Sequence, residues 1–105
     1  MQFVRPKNLN KNHLILDIRP QDEYIKEHLV LPHIHEDFDS LPKIDDLIKK
    51  YDLGNSKTIN ILCSSGGGKA EAMAALLKEN GIDNFAIVLG CMDGVKYDNL
   101  PTTEH

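Results

Sequence analysis

Cys63 is the strongest nucleophile in the chain, and its neighbours have the types and spacing to make it reactive. Residues 59–77, INILCSSGGGKAEAMAALL, pass from strand formers to Cys63, then Ser64, Ser65 and three glycines, Gly66, Gly67 and Gly68. Lys69 then opens a helical pattern. Consecutive glycines can take backbone angles closed to other residues and turn successive N–H groups inward as an anion-binding nest. The start of the following helix adds unsatisfied N–H groups and the positive end of its dipole. Such a field favours the thiolate, draws its pKa below the usual ~8.5, and can hold an anion attached to the sulfur. Gly68 and Lys69 stand where Ser, Thr, Asp or Asn would normally cap the helix, so its first donors stay available to a ligand. Lys69 also opposes the helix dipole by a few tenths of a kcal/mol unless an anion sits nearby. The plainer reading of the same residues is a buried cysteine at a strand end followed by a flexible turn.

The second cysteine, Cys91, does not form a C-x-x-C pair with Cys63, and two cysteines are too few for a secreted disulfide scaffold. His33 and His35, in HIHED, are spaced to share one strand face. Two ligands without a third do not make a metal site, so no metal or other cofactor is expected.

The elements that must position these groups alternate. HLILDI (13–18), TINILC (58–63) and NFAIVLG (84–90) are short apolar runs that read as strands buried on both faces. Between the first two, Ile44, Leu47, Ile48 and Tyr51 recur at helical spacing, with Ser40 as a cap and Gly54 as a stop. After Cys63, Ala70, Met73, Ala74 and Leu77 form one apolar stripe, ended at Gly81. A helical turn is expected in PQDEYIKEH (20–28) and a short strand in LPHIH (31–35). The pattern predicts an α/β fold with a largely parallel sheet, whose ligands gather at the carboxyl ends of the strands.

With 105 residues, the chain fits one domain spanning residues 1–105. A net charge of −4 with scattered Lys and Arg argues against nucleic acid as a partner. The opening MQFVRPKNLN has no apolar signal region, and no apolar run approaches the roughly 20 residues that span a bilayer. A soluble, cytoplasmic protein without a membrane partner is the expectation.

Together these segments resemble the rhodanese-like domains. LILDIRPQDEYIKEHL is similar to that family's IDVR…EEY…GHI, INILCSSGGGKA to its strand and active-site loop, and VLGCMDGVKYDNLP to its GGMDAW…GLP. The resemblance implies a small, mostly parallel sheet flanked by helices on both faces, and sulfur transfer through Cys63. In that chemistry Cys63 attacks a sulfane-sulfur anion such as thiosulfate, carries the sulfur as a persulfide and passes it to cyanide, a thiol or a partner protein. Ser64, Ser65, Gly66, Gly67, Gly68 and Lys69 would form the binding loop. Asp17, Arg19 and Glu23 match the family's polar network at the first strand, and His28 its histidine in GHI.

The departures are specific. Five residues, Ser64 to Gly68, separate Cys63 from Lys69, one more than in the sulfurtransferase pattern CRSGNR. The longer loop resembles the phosphatases and arsenate reductases of this fold, whose cradle takes a tetrahedral oxyanion. Lys69 at the arginine position lacks the bidentate fork that grips phosphate. A noncatalytic, regulatory binding module is the third reading. Cys91 replaces the second glycine of the family's pair, at a strand end that in this fold neighbours the Cys63 strand. With adjacent strands roughly 4.8 Å apart, Cys91 is a candidate resolving thiol as well as a candidate small buried hydrophobe. Val95 stands near the family's missing tryptophan, which predicts looser packing at this end.

Overall fold

The computed structural model describes residues 2–55, 57–65 and 68–104. Along the chain come β1 (Phe3–Val4), a 3-10 turn (Pro6–Asn8), β2 (Leu14–Asp17), α1 (Gln21–Lys26), β3 (His28–Leu29), β4 (Ile34–His35) and a second 3-10 turn (Phe38–Ser40). Then follow α2 (Ile44–Tyr51), β5 (Ile59–Leu62), α3 (Gly68–Glu79), β6 (Phe85–Val88), α4 (Cys91–Tyr97) and β7 (Thr102–Thr103).

Five strands form one sheet in the order β1-β6-β5-β2-β4, every pairing parallel. β5 lies at the centre, its register set by Ile61 beside Leu16 on one side and Ile87 on the other. Successive β5 residues point to opposite faces, yet all are buried, so both faces of the sheet are covered. Ile59, Ile61 and Leu62 are fully enclosed, and burial of each contributes about 1.5–3 kcal/mol. Asn60, the polar residue in this strand, donates from Nδ2 to the Leu14 carbonyl at 3.1 Å.

α3 buries Ala70, Met73, Ala74 and Leu77, the stripe expected from their spacing. It ends where Gly81 takes φ +84°, with the Ile82 N–H bonded to the Leu77 carbonyl. α2 differs from expectation at both ends. Ser40 closes the preceding 3-10 turn, whose start Asp37 caps by accepting from the Asp39 N–H, and Pro42 keeps Leu41 extended. The helix therefore begins at Ile44, with Asp45 and Asp46 in its first turn. Its left-handed terminal residue is Asp52, φ 51°, rather than Gly54. The C-terminal end is well packed: Val95 is fully buried, and β7 pairs antiparallel with β3, Thr102 opposite Leu29.

Candidate active site around Cys63

Cys63 directly follows the central strand, so it stands at the carboxyl end of the sheet between β5 and α3. It is buried, at 2% exposure. Ser64 is half-buried and Ser65 exposed. Gly66 and Gly67, assigned to the anion nest from sequence, lie outside the described residues; Gly68 is the first residue of α3.

The structure brings the second cysteine onto the first. Cys63 and Cys91 form a disulfide, with Cα atoms 5.1 Å apart, inside the range such bonds require. Cys91 is not at a strand end, as the sequence suggested, but opens α4 after two residues of turn. Gly90 (φ 75°) and Cys91 (φ 51°) both adopt left-handed backbone, which reverses the chain back toward β5. The Met92 N–H then donates to the Cys63 carbonyl at 3.1 Å and the Ser64 carbonyl at 3.3 Å, fixing the start of α4 against the strand end. Left-handed backbone costs a residue with a Cβ about 1–2 kcal/mol, so a cysteine is accommodated here at the expense of local strain.

Lys69, expected to face a bound anion, has its ammonium 2.8 Å from Asp39 Oδ2 in the 3-10 turn before α2. That hydrogen bond raises the Lys69 pKa above its ordinary value, with Asp37 and Glu23 adding smaller favourable fields.

Asp17 and Arg19 form the buried polar brace expected of the first strand. Arg19 grips both carboxylate oxygens of Asp17, with Nη2 to Oδ2 at 3.0 Å, and Nη2 also donates to the Glu27 carbonyl at 2.7 Å. The carbonyl, and not the Glu23 side chain, completes this network. Glu23 instead lines a cleft of about 200 Å³ beside Ser64, with Arg19, Lys26, Asp93 and Lys96.

The histidines surround Tyr24. Its ring is stacked between His28, at 4.1 Å between centroids, and His35, at 3.8 Å. His33 Nε2 is 2.5 Å from the Tyr24 hydroxyl, while His35 Nε2 bonds the Arg19 carbonyl. Burial and the Asp17 charge push the Tyr24 pKa up, against the opposing Arg19 charge. His33 and His35 do share a face, but they use it to clamp a phenol; among the described residues no three His, Cys, Asp or Glu side chains are grouped to hold a metal. The Tyr24 stack had no local signal beyond the histidine spacing, because its members come from α1, β3 and β4.

A cysteine at the end of the central parallel strand, a helix that starts five residues later, and a buried Asp–Arg brace agree with the rhodanese-like resemblance of the sequence. The family model for the rhodanese-like domain matches residues 5–97, and the chain belongs to that family. Among solved structures, a rhodanese-related protein from Thermoplasma volcanium is 18% identical, covers all of both chains and superposes with a TM-score of 0.72. A rhodanese-like domain protein from Staphylococcus aureus is 21% identical, with 90% of this chain and 91% of that chain covered and a TM-score of 0.70. Protein BH2092 from Bacillus halodurans is 18% identical at a TM-score of 0.71; the match spans 89% of this chain and 65% of that one. At these identities the likeness is one of fold. No curated protein matches the chain. Among the described residues no helix is long and apolar enough to cross a membrane.

Proposed function

We propose that the domain is a sulfurtransferase: Cys63, as thiolate, takes a sulfane sulfur from an anionic donor such as thiosulfate and passes it to a thiol, a partner protein or cyanide. The observation that carries this reading is the position of Cys63, buried at the end of the central strand and followed by α3, which begins at Gly68. A persulfide formed there is an anion, and the start of a 12-residue helix supplies N–H groups and dipole to hold it. The disulfide with Cys91 must be reduced before Cys63 can react, so the working form is the dithiol. No metal or other cofactor enters this chemistry, and a cytoplasmic setting, where thiols are kept reduced, suits it.

The test is release of sulfite from thiosulfate by the reduced chain, with thiocyanate formed when cyanide is present. Both products should be lost in Cys63→Ser. Absence of sulfite from the reduced, folded chain overturns the reading; Cys63-dependent phosphate release from an aryl phosphate would then assign the longer loop to oxyanion chemistry.

A further inference from the structure

We infer that Cys91 resolves the Cys63 persulfide, so that the domain reduces sulfane sulfur to sulfide at the expense of a dithiol; this rests on the sulfur-transfer reading above. Three observations converge on Cys91. The two sulfurs form a bond that joins the residue after β5 to the first residue of α4. Cys91 is held in left-handed backbone, where glycine would be free of strain, so the side chain is retained against a local cost. Both Met92 N–H bonds to the Cys63 and Ser64 carbonyls anchor the residue after Cys91 to the residues that carry and follow the nucleophile.

The steps balance. Cys63 thiolate attacks the outer sulfur of thiosulfate, which becomes the terminal persulfide sulfur as sulfite departs. The Cys91 thiol, losing its proton, then attacks Cys63 Sγ. The S–S bond of the persulfide breaks, its electron pair leaves with the terminal sulfur, and that sulfur takes the proton as HS⁻. Cys63 and Cys91 are left as the disulfide, oxidised by the two electrons that reduced the sulfur. A dithiol, small or borne by a protein, restores both thiols and becomes a disulfide itself. The net reaction is thiosulfate plus dithiol to sulfite, sulfide, a disulfide and a proton. Cys91 is 1% exposed, which shields its sulfur from competing electrophiles in solution. An intramolecular thiol has the advantage of proximity over any free thiol in solution.

The experiment uses the full chain, reduced and freed of reductant under anaerobic conditions, then given thiosulfate. The wild type is expected to release one equivalent each of sulfite and sulfide and to end about 2 Da lighter than the reduced chain, as the internal disulfide. Cys91→Ser should release sulfite and retain the sulfur, about 32 Da heavier, and with excess dithiol should make sulfide about tenfold more slowly than wild type. Cys91→Gly, which suits the left-handed backbone, should behave like Cys91→Ser and guards against a folding defect. If the wild type holds the added sulfur as stably as the variants, the resolving role is overturned while sulfur transfer stands. If no sulfite is released by any reduced chain, both readings fall together.

Discussion

The Lys69 ammonium and the Asp39 carboxylate, 2.8 Å apart, join the first turn of α3 to the 3-10 turn before α2. The cation that follows the Cys63 loop in sequence is thus already paired with a carboxylate. Both side chains are well exposed, so the pair adds little to stability and is open to exchange with a passing anion. Asp39→Asn should leave the thermal midpoint unchanged and lower the KM for thiosulfate about two- to fivefold at low salt, an advantage that fades as ionic strength rises. Steady-state kinetics across a salt series check this. A KM indifferent to the substitution at every salt concentration would show that Lys69 does not act on the donor.

Asp17 and Arg19 pose the opposite case, because both are nearly devoid of solvent contact. Removing one partner strands the other's charge in the interior, at a cost of about 3–5 kcal/mol. Arg19→Met is expected to destabilise the reduced chain by that amount in urea titration. It should also release the Glu27 carbonyl and so loosen the connection from α1 to β3. The double variant Asp17→Leu, Arg19→Met should recover part of the loss, since no charge is then left buried. A loss below about 1 kcal/mol in the single variant would mean that water reaches the site.

Gly94 sets the approach of α4. A Cβ built on it would collide with the Leu89 carbonyl oxygen and stand 3.3 Å from Pro6 Cγ. These are the turn that leads to Cys91 and the 3-10 turn beneath it, and neither is the flexible end of a long side chain. Gly94→Ala should therefore cost more than about 2 kcal/mol, as overpacking against backbone does. Because the helix must shift, it should also slow formation of the Cys63–Cys91 disulfide. Free-thiol titration under mild oxidation, alongside urea unfolding, reads both effects; a variant as stable and as readily oxidised as wild type would show that α4 has slack.

How far these relationships could be read from sequence depends on how local their causes are. β2, β5 and β6 were legible because each is a continuous apolar run, and α3 because its stripe and Gly81 agree. β1, β3 and β7 have two residues each, too few to show any period, and exist through their pairing partners, whereas β4 falls within the short strand expected in LPHIH. Ser40 and Gly54 carried the right residue types for helix ends, but Pro42 and the left-handed Asp52 overrode them. That Cys91 comes within bridging reach of Cys63 was legible from its place in the family pattern. The partner of Lys69 was not, since Asp39 lies 30 residues away and meets it only through the fold. The expected weakness around Val95 failed because β7 returns to β3 and closes that end.

That closure depends on Glu27, which links three segments. Its Oε2 accepts from the Thr102 hydroxyl at 2.7 Å, and its Oε1 lies 3.0 Å from Lys96 Nζ. The Thr102 hydrogen bond, then that of Lys96, holds the Glu27 pKa below its ordinary value, with partial burial opposing. A carboxylate whose folded pKa is depressed contributes stability that is fully present above its unfolded pKa, about 4.3, and is lost as pH falls through the folded value. Thr102→Val should therefore lower the thermal midpoint at pH 7, and the gap between variant and wild type should narrow as the pH is taken toward 3. Melting curves at several pH values measure this difference, which cancels the titration of the other carboxylates. Amide exchange in β3 and β7 should accelerate in the variant at neutral pH, because the Leu29–Thr102 pairing loses its side-chain tie. A gap that stays constant with pH would mean that Thr102 holds the strand by packing alone and that the charge on Glu27 is not involved.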